Sequence, residues 1–178
     1  DRERYQTVYS EKSKSAAAPT AGLHMTNELL DRCVERGARI EFVELVVGLD
    51  TFRPIDSENI EEHKMHSEFY DVSEKVITAC KKAERVIAVG TTTVRALETA
   101  AVGKLKGRTD IFIKQPYDFK IVDLLLTNFH LPKSTLLIML DAFLGERWKS
   151  LYQEALDQNY RFLSFGDAML VQRRFLGN

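Results

Sequence analysis

Asn128, His130, Lys133 and Ser134 place an amide, an imidazole, an ammonium and a hydroxyl within the run Thr-Asn-Phe-His-Leu-Pro-Lys-Ser-Thr, residues 127 to 135. Groups of these types at this spacing can hold a polar ligand and move a proton. The apolar run Ile121 to Leu126 precedes them and a helix-like pattern, Leu136 to Phe143, follows, so the segment reads as a strand-to-helix junction. Pro132 suits the approach to a helix and Ser134 or Thr135 its cap. In α/β folds such junctions lie at the carboxyl ends of strands, where ligands bind. Taken alone, a capped turn whose histidine satisfies a carbonyl explains the same residues equally well.

A second element is Gly90-Thr-Thr-Thr93, after the buried strand pattern ending at Val89. Glycine permits a close turn, and the helix that follows offers unpaired N–H groups and partial positive charge to a phosphate or carboxylate. On spacing alone, capping by Thr91 or Thr92 is the simpler reading. Arg95 and Glu98, one helical turn apart, read as a surface pair. His24 follows Pro19 and Gly22 just ahead of a helix, and a histidine there can take or give a proton near neutral pH. His63 and His66, three apart beside Glu61, Glu62, Lys64 and Glu68, share a helical face. That spacing permits a metal pair, but a charged surface segment is the better reading, and no metal is expected.

The elements that must position these groups alternate. Helices are expected after Thr26 (Leu29, Leu30, Cys33 and Val34 on one face), after Ser73, from Thr92 to Ala101, from Ser134, and from Glu146 to Gln158. Strands are expected at 40–47, 85–89, 110–113, 119–126 and 161–164, with 50–71 a long connection and 103–107 a loop. This order predicts one α/β domain over residues 1–178 with a mostly parallel sheet. The chain has 178 residues, 44% of them hydrophobic, and a net charge of −1. That supports one core and gives no overall nucleic-acid signal. No apolar run approaches the roughly 20 residues that span a bilayer. Cys33 and Cys80 are expected as free thiols, and a cytoplasmic setting without a membrane partner follows.

The motifs Tyr5-Gln-Thr-Val-Tyr9, Ala18-Pro-Thr-Ala-Gly-Leu-His24, Thr51-Phe-Arg-Pro54, Glu61-Glu-His-Lys-Met-His-Ser-Glu68, Val86-Ile-Ala-Val-Gly-Thr-Thr92, 127–135 and Gly166-Asp-Ala-Met-Leu170 occur in this order. In them the chain resembles the S-adenosylmethionine:tRNA ribosyltransferase-isomerase family of queuosine biosynthesis. The resemblance runs from about Asp1 to Val171 and corresponds to the later part of that family's sequence. It implies an open α/β-barrel-like main domain, with the family's N-terminal part and most of its small β-barrel domain absent from this chain.

The implied reaction moves the ribosyl unit of S-adenosylmethionine, a consumed cosubstrate, onto 7-aminomethyl-7-deazaguanine in tRNA. It isomerises that unit to give epoxyqueuosine and releases adenine and methionine. The resemblance implies His24 and His130 as acid–base groups, and substrate contacts from Thr20, Gly22, Arg53, His63, His66, Gly90, Thr91, Thr92, Arg95, Asn128, Lys133, Ser134 and Asp167. Arg53 and Lys64 are the implied phosphate contacts. His24, Gly90 to Thr92, Arg95, Asn128, His130 and Asp167, each at an expected strand end or helix start, are expected to converge on one cleft, and homo-oligomerisation is left open. Departures from the family pattern are Met25, Leu49-Asp50, Arg108, the turn Lys114-Gln115-Pro116, and Leu124, whose bulk stands where glycine is usual. They admit a second expectation, a diverged relative that binds S-adenosylmethionine or RNA without completing the reaction.

Overall fold

The computed structural model describes residues 7–9, 19–46, 65 and 67–174. Local hydrogen-bond chemistry starts three of its helices. The Thr26 hydroxyl accepts the Leu29 amide at 3.1 Å and opens α1 (Asn27–Glu35); Ser73 accepts from Val76 at 3.4 Å and opens α2 (Glu74–Lys82). Next, α3 (Thr91–Ala101) begins at Gly90 with no side-chain cap. Ser134 accepts from Leu137 at 3.2 Å and opens α4 (Thr135–Leu144), and α5 (Arg147–Asp157) follows the turn at Gly145. A 3-10 turn, Thr20–His24, precedes α1. None of the α1 side chains is buried, and Leu29 and Val34 on its apolar face are exposed among the described residues.

The described strands are β1 (Glu44–Val46), β2 (Glu68–Asp71), β3 (Ile87–Val89), β4 (Lys106–Thr109), β5 (Leu124–Asn128) and β6 (Ala168–Gln172). They form two three-stranded sheets, ordered β1-β2-β4 and β3-β5-β6. The expectation of a mostly parallel sheet is corrected: among the described residues only the β3–β5 pairing is parallel. The helix α3 carries the chain back so that β5 runs alongside β3. In contrast, α4 and α5 pack as a pair that takes the chain out and returns it to the carboxyl end of β5. There β6 starts, with Ala168 opposite Asn128, and runs antiparallel.

Three expected strands move, each for a visible reason. Within 119–126, the amides of Lys120, Ile121 and Val122 donate at 2.8, 3.0 and 3.0 Å to the buried carboxylate of Glu98, so ladder pairing begins only at Leu124. Residues 161–164 form a turn, because the Arg161 amide donates to the Asp167 carboxylate at 2.7 Å and the Asp167 amide returns to the Arg161 carbonyl at 2.7 Å. Ile111 and Ile113 pack inward from an unpaired segment, and the polar run Lys-Gly-Arg-Thr before them supplies β4. The core between α3, α4 and β5 holds Val94, Leu97, Leu125, Leu140 and Phe143. Cys33 and Cys80 are free, half-buried thiols.

Candidate active site

Strand β3 stops at Val89, opposite Leu126, and the Gly90 amide donates to the Leu126 carbonyl at 2.9 Å, one step beyond the ladder. At φ +91° Gly90 adopts a backbone that L side chains rarely take, and the chain swings into α3. Strand β5 runs two residues further, so Asn128 stands beside the first turn of α3. The Thr93 hydroxyl bonds back to the Val89 carbonyl at 2.7 Å. No described side chain caps the helix, which leaves the first-turn amides without a side-chain acceptor and with their partial positive charge. Capping by Thr91 or Thr92, the simpler reading of the spacing, is therefore not what the fold does.

A cleft of about 260 Å³ opens at this strand end. Its walls include Thr20, Gly90 to Thr92, Thr127 to His130, Lys133 and Ser134, with Leu163 and Ser164 completing the lining. Lys133 (φ +57°) and Leu163 (φ +71°) are both non-glycine residues held in left-handed backbone, which concentrates strain at this rim.

Asn128, 2% exposed, is the hub. Its Oδ1 accepts from the Thr20 hydroxyl at 3.0 Å, and its Nδ2 lies 3.4 Å from both the Asp167 carbonyl and His24 Nε2. The carbonyl can only accept, so the amide NH2 faces it, and His24 Nε2 is then an acceptor as well. One side chain thus ties the 3-10 turn, β5 and β6 together and orients His24, whose ring is otherwise exposed.

His130 is held twice: its amide donates to the Tyr152 hydroxyl oxygen at 2.8 Å, and its Nε2 lies 2.8 Å from the Thr127 hydroxyl. Burial lowers its pKa to about 4 and pushes that of Tyr152 up to about 12. Both are therefore neutral at neutral pH. Beneath them Phe129 packs against Tyr152, Tyr160 and Phe162 with centroids 5.1 to 5.7 Å apart, and its carbonyl accepts the Leu163 amide at 3.1 Å.

The remaining expected contacts divide. Ser134 serves as the α4 cap, donating to the Leu131 carbonyl at 2.7 Å while lining the cleft. Gly22 is buried within the 3-10 turn, where an added Cβ would fall 2.0 Å from the Tyr9 hydroxyl. The carboxyl of Asp167 is held below the usual carboxylate range by the Arg161 side chain and amide, so its carbonyl serves the hub while its carboxylate closes the turn. Arg95 is not brought to the cleft. It is 2% exposed and ion-paired with Glu68 of β2, and Glu98 binds backbone amides, which corrects the expectation of a surface Arg95–Glu98 pair. Arg53, His63, Lys64 and His66 lie outside the described residues. Leu124 does not close the cleft, because it sits at the far end of β5, four residues or about 13 Å from Asn128. Thr127, Tyr152 and Leu163 were missed by sequence reasoning. Thr127 lies in the junction segment 127–135 but carries no mark of its own, and nothing local marks the other two.

A cleft at the carboxyl ends of adjoining strands, beside an uncapped helix N-terminus and two histidines, marks an α/β protein whose site suits the anionic group of a small molecule. A model of the queuosine biosynthesis protein family matches residues 1–171. The chain belongs to that family. It is 54% identical over 181 residues to the S-adenosylmethionine:tRNA ribosyltransferase-isomerase of Halothermothrix orenii, covering 96% of this chain and 53% of that protein. The enzyme of the same name from Heliobacterium modesticaldum is 56% identical over 180 residues, covering 95% and 52%. Among solved structures, the S-adenosylmethionine tRNA ribosyltransferase of Thermotoga maritima superposes with a TM-score of 0.68 at 42% identity, over 84% of this chain and 50% of that one. The chain spans about half the length of these relatives.

Proposed function

We propose that this chain carries the S-adenosylmethionine site of a tRNA ribosyltransferase-isomerase, acting in the cytoplasm from one α/β domain. The observation that carries the reading is the meeting of Thr20, Gly90 to Thr92, Asn128 and His130 at one strand-end cleft, in a chain more than half identical to relatives of that name. The first turn of α3 supplies amides for the methionine carboxylate of S-adenosylmethionine. At about 260 Å³ the cleft is slightly below the roughly 300–1,000 Å³ of sites that enclose a whole ligand, so it holds one end of the molecule while the rest extends over the open rim.

Chemically, the positive sulfur acidifies the 5′ carbon. His24, exposed beside the cleft and oriented by Asn128, is the group we assign to proton transfer there. Adenine leaves, the amine of the deazaguanine base in tRNA attacks the opened ribosyl chain, and recyclisation expels methionine to form the epoxide. Positioning of the two substrates carries much of this catalysis. Lys133 on the cleft rim, with Arg53, His63 and His66 earlier in the chain, is assigned to the tRNA side. Incubating the full-length protein with S-adenosylmethionine and tRNA bearing the aminomethyl-deazaguanine base tests the reading. Release of adenine and methionine supports it, whereas S-adenosylhomocysteine would mean methyl transfer and overturn it.

A further inference from the structure

Thr127 is 1% exposed, and among the described residues its hydroxyl has a single partner, His130 Nε2 at 2.8 Å. A hydroxyl has one proton to donate, and leaving that donor unmet in a buried place costs more than leaving a lone pair idle. If Nε2 carried the ring proton, the Thr127 proton would have no acceptor. If Nε2 is bare, the hydroxyl donates to it and the single ring proton of neutral imidazole sits on Nδ1. That atom has no partner among the described residues, yet it is not among the buried side-chain atoms without one, and the ring lines the cleft. Nδ1 therefore opens toward the ligand space.

We infer that Thr127 locks His130 as the neutral Nδ1–H tautomer, making His130 a fixed hydrogen-bond donor to an anionic oxygen of the ligand and not the group that takes the 5′ proton. The ligand assignment rests on the cleft being the S-adenosylmethionine site; the tautomer does not. Two further observations agree. The amide of His130 is pinned by Tyr152, so the residue is held at its backbone as well as at its ring. Gly90 to Thr92, at the uncapped start of α3, line the same cleft, and donors converging from two sides suit a carboxylate or a phosphate oxygen. Burial also keeps the ring uncharged at neutral pH.

Nuclear magnetic resonance of the full-length protein labelled with 15N-histidine reads the tautomer without reference to activity. The His130 ring, identified by the signals lost in His130→Asn, is expected to show a protonated Nδ1 and an unprotonated Nε2 at neutral pH. A protonated Nε2 overturns the inference while leaving the ribosyl-transfer reading intact. In Thr127→Val the preference should relax toward a mixture, and an unchanged tautomer would show that Thr127 is not the lock. His130→Asn puts an amide NH2 near the Nδ1 position, whereas His130→Gln reaches toward the Nε2 position. His130→Gln should weaken ligand binding about 10- to 100-fold, the scale of a lost hydrogen bond to a charged group, and His130→Asn should recover most of that. Loss confined to S-adenosylmethionine, and absent for its decarboxylated analogue, identifies the carboxylate as acceptor; loss confined to tRNA identifies a phosphate. Equal behaviour of the Asn and Gln variants contradicts the donor role.

Discussion

Asn128→Ala removes three hydrogen bonds from the hub of the site. The bond from Thr20 at 3.0 Å is of ordinary length and contributes about 1 kcal/mol net, while the two at 3.4 Å lie beyond the usual range and contribute about 0.5 kcal/mol each. The sum is about 2 kcal/mol, which for a chain of this size lowers Tm by roughly 4–8 °C. Activity should fall further than stability, because His24 loses the contact that orients it and a displacement of about 1 Å can cost on the order of 10²-fold. Asn128→Asp keeps the shape but turns the NH2 into an oxygen facing the Asp167 carbonyl and His24 Nε2, both acceptors. It should therefore destabilise more than alanine does. Thermal denaturation and adenine release, measured on both variants of the full-length protein, check the reasoning. An aspartate variant as stable as the parent would refute the amide orientation on which the hub depends.

Other perturbations test neighbouring parts. Glu98→Ala leaves three amides of residues 120–122 without their acceptor at roughly 1–3 kcal/mol each, so it should unfold the segment leading into β5, whereas Glu98→Gln keeps one oxygen and should cost far less by denaturant titration. Gly90→Ala forces an L residue to φ +91° at a cost of about 1–3 kcal/mol and should also weaken S-adenosylmethionine binding measured by calorimetry. Because folding lowers the His130 pKa from 6.5 to about 4, the unfolded chain binds the extra proton first as pH falls. Stability should thus be intact above 6.5 and drop between 6.5 and 4, by at most about 3 kcal/mol, with the drop absent in His130→Asn.

The helices were legible because their signals are local. Thr26, Ser73 and Ser134 each lie beside the amides they cap, and α3 and α5 fall within a residue of the expected starts. Strand partners are not local. Nothing near residues 120–122 announces that Glu98, more than twenty positions earlier, will take their amides, and nothing near Arg161 announces that Asp167 will fold the chain into a turn. The polar strand Lys106–Thr109 has no apolar alternation to reveal it. In the site, Asn128, His130 and Gly90 to Thr92 were readable as strand-end and helix-start residues. Arg95 was misplaced because the rotation of α3 about its axis, which turns that side chain to Glu68, is set by core packing. The Thr127–His130 bond was hidden because only the turn after β5 brings His130 Nε2 back to the Thr127 hydroxyl, and the spacing of two residues three apart does not announce it.

A crystal structure of the full-length protein with S-adenosylmethionine bound tests the central claim most directly. The ligand should occupy the cleft between the first turn of α3 and Asn128, with a carboxylate oxygen about 2.7–3.2 Å from the Thr91 or Thr92 amide and His24 beside the 5′ carbon. S-adenosylmethionine bound elsewhere, with this cleft empty, would contradict the account.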